Sequence, residues 1–204
     1  NDYKASVDFT ITETPAEEHT HNYDETGQCS GCESQAEASV TIADGEPVFY
    51  ETIAAAINYA QEKTDAVIKV LTNLDITADP TEVEAALLFS GGSFTLDLNG
   101  KTISSPVHTL AVKGAELTIM DSATGGTIQS ESTGGESIFA AVALTNGAVT
   151  LNSGKLEGEY TIYSFDASPI TVTGGTLQAR YCTIYSESGT VTVEGGNFIT
   201  TETE

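Results

Sequence analysis

The sequence predicts a mainly β fold built from stacked repeats. An apolar–Thr–apolar triplet recurs five times, a turn follows each triplet, and every turn leads into another apolar residue. The triplets begin at Phe94, Leu117, Val149, Ile170 and Val191. The last two intervals are 21 residues, and the first two, 23 and 32, are interpreted as the same period with insertions. A period near 21 residues with several short strands per repeat is typical of a solenoid, whose repeats bury their apolar sides against one another.

The turns between the predicted strands favour the same fold. They read LNGKTI at 98–103, TGGTI at 124–128, NSGKL at 152–156, TGGTL at 173–177 and EGGNF at 194–198. Glycine allows the positive φ of a sharp turn, and the alternation of a strand sends every second side chain inward. Leucine-rich repeats need an L-x-x-L-x-L pattern and ankyrin-type repeats need helices, and these repeats show neither.

The chain is predicted to divide near residue 40. Residues 1–40 are acidic and rich in turn residues, and no Lys or Arg occurs between positions 5 and 62. We therefore expect a small acidic segment or linker over 1–40 and a repeat domain over 41–204. Within the second part, Ile53, Ile57 and Ala60 recur at helical spacing, which predicts an amphipathic helix over about residues 50–63.

Several phrases resemble a known family. FTLDLNGKTI, LTIMDSATGGTI and the series VTLNSGKLEG, ITVTGGTLQA and VTVEGGNFIT are similar to right-handed parallel β-helix domains of the pectate-lyase-like superfamily. More narrowly, they resemble adhesin-like repeat proteins of bacterial cell surfaces. The resemblance covers about 38–204. It implies a right-handed single-stranded parallel β-helix of about six coils of ~21 residues, with the helix near 50–63 as an N-terminal cap. No cap follows the last repeat, so we expect the chain to continue, or to pair with another chain, beyond Glu204.

The charge excludes some classes of function. Seven Lys and Arg against thirty Asp and Glu give a net charge of −23, which repels nucleic acid and anionic membranes. Such a surface suits a soluble extracellular protein, including one that binds Ca²⁺ loosely. No apolar run approaches the roughly 20 residues of a transmembrane helix. The chain begins NDYKASV without Met, so we expect that a signal peptide has been removed and that the protein is extracellular or on the cell surface.

The stretch HTHNYDETGQCSGC holds the candidate metal ligands His19, His21, Cys29 and Cys32. Two His and two Cys suit tetrahedral Zn²⁺ with no open position, so the predicted role of a zinc is structural. The stretch has few apolar residues, and a metal supplies folding energy in that situation. It is also similar to short H-x-H…C-x-x-C linkers beside repeat domains of bacterial surface proteins. A Cys29–Cys32 disulfide and an unliganded arm stay open as alternatives.

No catalytic residue is predicted. Polysaccharide lyases of the resembled superfamily hold Ca²⁺ with stacked carboxylates beside a basic residue, and hydrolases use a carboxylate pair. Asp166 and Glu187 fall near one column of the repeats, but isolated surface acids are the commoner explanation. Arg180 has no evident carboxylate column beside it. The insertion at 121–137 is the place where an enzyme would build a cleft.

The function expected from these observations is a non-enzymatic extracellular surface module. It is an adhesin-like or stalk domain that binds through an acidic, repetitive face, with carbohydrate or a host or cell-surface protein as partner. The alternative is a carbohydrate-active enzyme, a polysaccharide lyase or glycoside hydrolase. A carboxylate pair, or a carboxylate beside a basic residue, in a groove at 121–137 would favour the enzyme.

Overall fold

The computed structural model describes residues 20–79, 82–83, 85–132 and 138–202. These residues form one helix and seventeen strands. In chain order they are β1 (Ala38–Ile42), β2 (Val48–Tyr50), α1 (Ile53–Ala60), β3 (Ala66–Val70), β4 (Leu74–Asp75), β5 (Ala85–Ser90), β6 (Ser93–Asp97), β7 (Thr102–Ser105), β8 (His108–Lys113), β9 (Glu116–Met120), β10 (Thr127–Ser130), β11 (Ala140–Thr145), β12 (Ala148–Leu151), β13 (Lys155–Ser164), β14 (Ile170–Val172), β15 (Thr176–Ser186), β16 (Val191–Val193) and β17 (Asn197–Thr200).

The strands are organised as two sheets. The first has the order β16-β14-β12-β9-β6-β3-β1-β2, parallel from β16 to β3 and antiparallel at β1 and β2. The second has the order β4-β7-β10-β13-β11-β8-β5, and β15 and β17 extend it beside β13. All of its described pairings are parallel.

The mainly β class is therefore right, but the prediction of a right-handed single-stranded β-helix of about six 21-residue coils was wrong. The structure instead has one mixed and one parallel sheet with a single eight-residue helix. A uniform repeat fails because paired residues of the first sheet are 28, 23 and 32 positions apart before the two intervals of 21. The sheet then continues into the antiparallel strands β1 and β2. The sequence repeat does not predict them, because antiparallel neighbours can be joined by a short turn and need not be one repeat apart in the chain.

The threonine triplets lie in register in the first sheet. Each threonine is paired with the threonine of the next triplet, from Thr95 and Thr118 to Thr192. In the first four triplets the apolar residues on either side are buried, as the alternation predicted: Leu96, Ile119 and Leu151 are fully buried. Stacked β-branched threonines favour extended strands, so a structural role explains this column.

The core lies between the two sheets. Residues of the first sheet such as Leu96 and Leu151 belong to the same buried cluster as Ile103, Ile128 and Leu156 of the second. Burying a side chain of this size contributes roughly 1.5–3 kcal/mol each. The shared core therefore holds the sheets together.

Helix α1 is shorter than the predicted 50–63. It begins after Thr52, whose side chain accepts a hydrogen bond from Ala55 N, and the carboxylate of Glu37 accepts one from Ile53 N at 2.8 Å. Its apolar side, which includes Ile53 and Ile57, is buried. The helix packs on β1, β2, β3 and β5 and so covers one end of the core. No helix in the described ranges is long and apolar enough to cross a lipid bilayer.

Candidate functional site

His21, Cys29 and Cys32 form a cluster that could hold a metal ion. One donor atom of each residue lies within 4.8 Å of the donors of the other two. Nδ1 of His21 is 3.5 Å from Sγ of Cys32. Cys29 is buried, and His21 and Cys32 are half-buried. The described residues contain no second group of three or more His, Cys, Asp or Glu arranged in this way.

A tight turn brings the three donors together. The Asp24 carboxylate accepts hydrogen bonds from Thr26 N at 2.8 Å and Gln28 N at 3.0 Å. The hydrogen bond from the Thr26 hydroxyl, followed by those from the backbone, lowers the pKa of Asp24. Gly27 completes the turn with φ +83°, and a Cβ there would lie 2.9 Å from the side chain of Leu71. The turn is therefore held both internally and against the body of the protein.

The cluster sits beside the strand and helix that follow β1. Nε2 of His21 is 3.9 Å from a carboxylate oxygen of Glu51, on the side of the ring opposite Cys32. The rings of His21 and Tyr23 stack with their centroids 5.6 Å apart, and the centroids of Tyr23 and of Phe49 in β2 are 6.3 Å apart. The candidate metal centre is thus anchored to the end of the first sheet.

The hydroxyl of Tyr23 is a buried polar group beside the cluster. It has no hydrogen-bond partner in the described part of the chain. Burial, and after it the charges of Glu51, Cys29 and Cys32, raise the pKa of Tyr23. The neutral phenol next to the two cysteines is a hydrogen-bond donor without an acceptor. A thiolate or a metal-bound group within reach of the hydroxyl would accept that hydrogen bond.

Three of the four predicted ligands are thereby brought together, and His19 lies outside the described residues. Cys182 is remote from them and donates its thiol hydrogen to Ile184 O. Sequence reasoning missed Glu51 and Tyr23, since an acid between β2 and α1 and an isolated tyrosine have no ligand spacing. The Asp166 carboxylate accepts hydrogen bonds from Asn146 N and Ser168 N, so it closes a turn.

A second feature is a groove of about 400 Å³ on the second sheet. It crosses β13 and β15 and reaches the ends of β10 and β17, and its charged lining residues are Glu131, Glu157, Glu159, Arg180 and Glu202. The register of β13 and β15 shifts at this place: Gly158 is paired with Ala179 and Tyr160 with Cys182, so Arg180 and Tyr181 of β15 lie opposite Glu159 alone. The extra residue of this bulge is therefore in β15, next to Arg180, and bulges of this kind re-aim side chains.

Glu159 is the most buried acid of this groove, with 4% of its surface exposed. Its Oε2 accepts a hydrogen bond from Ser132 Oγ at 3.2 Å, whereas Oε1 has no hydrogen-bond partner among the described residues. Nη1 of Arg180 is 3.8 Å from Oε1, and Nη2 of Arg180 is 2.7 Å from Glu202. Arg180 therefore lies between two carboxylates.

The expectation that Arg180 has no carboxylate column beside it was wrong. Glu159 precedes Arg180 by 21 residues and Glu202 follows it by 22, so the three residues occupy one column of the repeats. Comparing only the positions next to the Thr triplets hid this column, because it lies in the strand after each turn. An alignment of the second strand of each repeat would have found it.

Aromatic side chains lie on the strands next to the groove. We call Tyr160, Tyr163, Phe165, Tyr181 and Tyr185 the aromatic strip. Tyr163 stacks on Tyr185 with ring centroids 4.5 Å apart and contacts Phe165 at 4.8 Å. Phe165 is 46% exposed, Tyr181 45% and Tyr185 39%. Burial, more than the neighbouring charges, raises the pKa of Tyr160 and Tyr163.

No protein-family model matches the chain, and no curated protein or solved structure matches it either.

Proposed function

We propose that the chain is a non-enzymatic, adhesin-like or stalk module of an extracellular protein, and that it binds a partner through the second sheet. The observation that carries the proposal is the aromatic strip. Three of its rings are about two-fifths exposed or more, although apolar groups of this size gain free energy by leaving water. Adjacent exposed apolar groups on a folded domain mark an interaction surface. The acidic chain around the strip keeps the module soluble.

Binding without turnover is the test of this function. The chain is applied to arrays of immobilised glycans and proteins, next to Phe165→Leu/Tyr185→Leu, which removes two rings and no charge. We expect retention of the unaltered chain on a ligand that stays intact, and loss of retention in the variant. Val48→Ala is the matched control, because Val48 is an equally exposed apolar residue in β2. Turnover of a bound ligand would overturn the proposal.

For the metal cluster, a structural zinc is the ion that the donors support best. Zinc at about 2.05 Å from nitrogen and about 2.3 Å from sulfur places these two donors about 3.6 Å apart in tetrahedral geometry. The separation between His21 Nδ1 and Cys32 Sγ is 3.5 Å. The described residues supply three ligands, and His19 is the proposed fourth ligand. With four protein ligands the ion has no position for a reacting water.

Elemental analysis of the purified chain tests this assignment. We expect zinc in equal molar amount to the chain, and its loss in both His21→Ala and His19→Ala. Zinc that persists in His19→Ala would remove His19 from the ligand set and leave the other three. Metal-free protein with Cys29 and Cys32 oxidised would contradict the zinc site altogether.

A carbohydrate-active enzyme is the second candidate, and the groove is the observation that favours it. The groove is lined in part by residues 129–132 of the 121–137 insertion and holds a buried carboxylate beside a guanidinium. Carboxylates in such surroundings serve as acids or bases in glycoside chemistry. Incubation with acidic and neutral polysaccharides, followed by analysis of new chain ends, tests it. Cleavage that Glu159→Gln abolishes and Glu46→Gln leaves intact would establish this function.

A further inference from the structure

We propose that the aromatic strip and the adjoining groove dock a basic peptide segment of a partner protein, whose Arg or Lys side chains lie on the rings and pair with the groove acids. The inference rests on the proposed binding function and names the surface and the chemistry of the partner. Three observations support it: the exposed faces of the rings, the contact of Arg180 with Tyr181, and the negative charge of the groove.

The rings offer faces to which a cation is attracted. The four tyrosines of the strip lie on β13 and β15, where Tyr163 is paired directly with Tyr185, and Phe165 follows β13. The two rings stack with an interplanar angle of 16°, so the outer face of the pair is a flat aromatic surface. An Arg or Lys cation placed over a tyrosine ring gains about 0.5–1 kcal/mol at an exposed site.

The chain already contains one contact of the proposed kind. The guanidinium of Arg180 lies over the ring of Tyr181, 4.8 Å from its centroid. The same guanidinium is 2.7 Å from Glu202 and 3.8 Å from Glu159. This arrangement shows that the surface can place a guanidinium on an aromatic face and between two carboxylates at once. A second guanidinium from a partner can use the neighbouring rings and acids in the same way.

The charge of the groove selects a cationic ligand. Its lining holds four glutamates, at 131, 157, 159 and 202, against one arginine. Lys155 pairs with Glu157 at 2.6 Å beside the groove, which leaves the local charge negative. Glu187 adds to it, since its charge contributes to the raised pKa of Tyr163. A chain of net charge −23 would also attract a basic partner at long range.

One carboxylate oxygen at the groove, Oε1 of Glu159, lacks a hydrogen-bond donor in the described part of the chain. Oε1 of Glu159 has no hydrogen-bond partner among the described residues, and the side chain is nine-tenths buried at the groove wall. An unpaired acceptor at such depth costs free energy until a donor reaches it. A neutral sugar gains nothing from the charge of the groove, whose lining contains no aromatic ring.

A fluorescent peptide of glycine and serine with four arginines is the probe, and the same peptide with citrulline in place of arginine is its control. Binding to the full chain is followed by fluorescence anisotropy. We expect the arginine peptide to bind and the citrulline peptide to bind at least tenfold more weakly. Phe165→Leu/Tyr185→Leu should weaken binding by about five- to tenfold, although it changes no charge.

Two charge variants distinguish binding at the groove from a general attraction of the peptide to the acidic chain. Glu157→Gln/Glu202→Gln removes two acids of the groove, and Asp44→Asn/Glu46→Gln removes two acids from the turn between β1 and β2. The first pair should weaken binding at least fivefold, and the second should leave it within twofold. Circular dichroism confirms that each variant is folded.

The outcomes distinguish this inference from the function on which it rests. Equal weakening by both charge variants, or no effect of the aromatic variant, would overturn the docking site. Retention on glycan arrays together with no binding of the arginine peptide would overturn the basic partner and leave the binding function standing. Failure on every array and with the peptide would overturn both.

Discussion

Nδ1 of His21 and Sγ of Cys32 lie 3.5 Å apart, the separation of two donors on one tetrahedral zinc. The residues are eleven positions apart in the chain, and the turn at Asp24 and Gly27 brings them together. Nε2 of His21 is 3.9 Å from a carboxylate oxygen of the exposed Glu51, whereas Nδ1 lies on the side of Cys32.

The first prediction is that Cys29→Ser and Cys32→Ser each abolish zinc binding, because each removes a thiolate that water replaces poorly. Zinc at a thousand times its dissociation constant stabilises the folded state by about 4 kcal/mol, and both variants should lose this stabilisation. The measurements are zinc content and thermal unfolding with and without a chelator. Cys182→Ser is the control, since Cys182 lies outside the cluster. Equal zinc in Cys32→Ser and in the control would contradict the site.

The inward and outward positions of the repeats could be predicted from the sequence, and the arrangement of the sheets could not. Alternation is a local property, so it predicts that every second residue of a strand points inward, and Leu96 and Ile119 are fully buried. Which strands lie side by side depends on insertions and on contacts distant in the chain. The antiparallel addition of β1 to β3 is such a contact, because Ser39 is paired with Lys69.

The candidate site was predictable in part for the same reason. C-x-x-C and H-x-H are local patterns, and the structure brings His21, Cys29 and Cys32 together. The contacts of Glu51 and Arg180 arise between elements distant in sequence. The column of Glu159, Arg180 and Glu202 was present in the spacing, but it becomes visible only when the second strands of the repeats are aligned.

The second prediction concerns two glycines with positive φ. Gly175 has φ +81°, and a Cβ there would lie 2.7 Å from the carbonyl oxygen of Gly154, whereas a Cβ at Gly125, with φ +94°, would meet nothing within 4 Å. Gly125→Ala should therefore cost about 1–2 kcal/mol for the left-handed backbone alone. Gly175→Ala should cost a further 1–3 kcal/mol, roughly, since a backbone oxygen cannot move aside easily. Denaturant unfolding measures the free energy of unfolding of both variants. An equal decrease in the two would show that the carbonyl oxygen of Gly154 does not restrict a side chain at position 175.

The third prediction is a pH dependence from Asp166. The hydrogen bond from the Ser168 hydroxyl, followed by that from Asn146 N, lowers the pKa of this carboxyl. A lowered pKa in the folded state stabilises the protein at pH values above the unfolded pKa of about 3.9, and this contribution is lost as the pH falls through the folded pKa. Asp166→Asn should be less stable than the unchanged chain at pH 7, and the difference should shrink below pH 4, approximately. Unfolding midpoints from pH 2 to 7 measure it. A difference in stability that stays constant from pH 2 to 7 would show that the fold does not favour the ionised form of Asp166.

The fourth prediction arises from the outer edge of the first sheet. Val191 and Val193 of β16 are 41% and 54% exposed, whereas Ile170 and Val172, their partners in β14, are fully buried. Within the described residues no further strand pairs with the outer edge of β16. An exposed strand edge with apolar side chains is a template for pairing with another strand.

Val193→Lys should therefore lower self-association while leaving stability nearly unchanged, because the added charge opposes strand pairing and the side chain is already half in water. Val172→Lys is the matched comparison: it places the same charge at the register-equivalent buried position and should unfold the domain. Sedimentation velocity over a hundredfold range of concentration measures association, and thermal unfolding measures stability. Self-association that is equal in the unchanged chain and in Val193→Lys would mean that the edge of β16 does not take part in it. A folded Val172→Lys would contradict the inward orientation of that row.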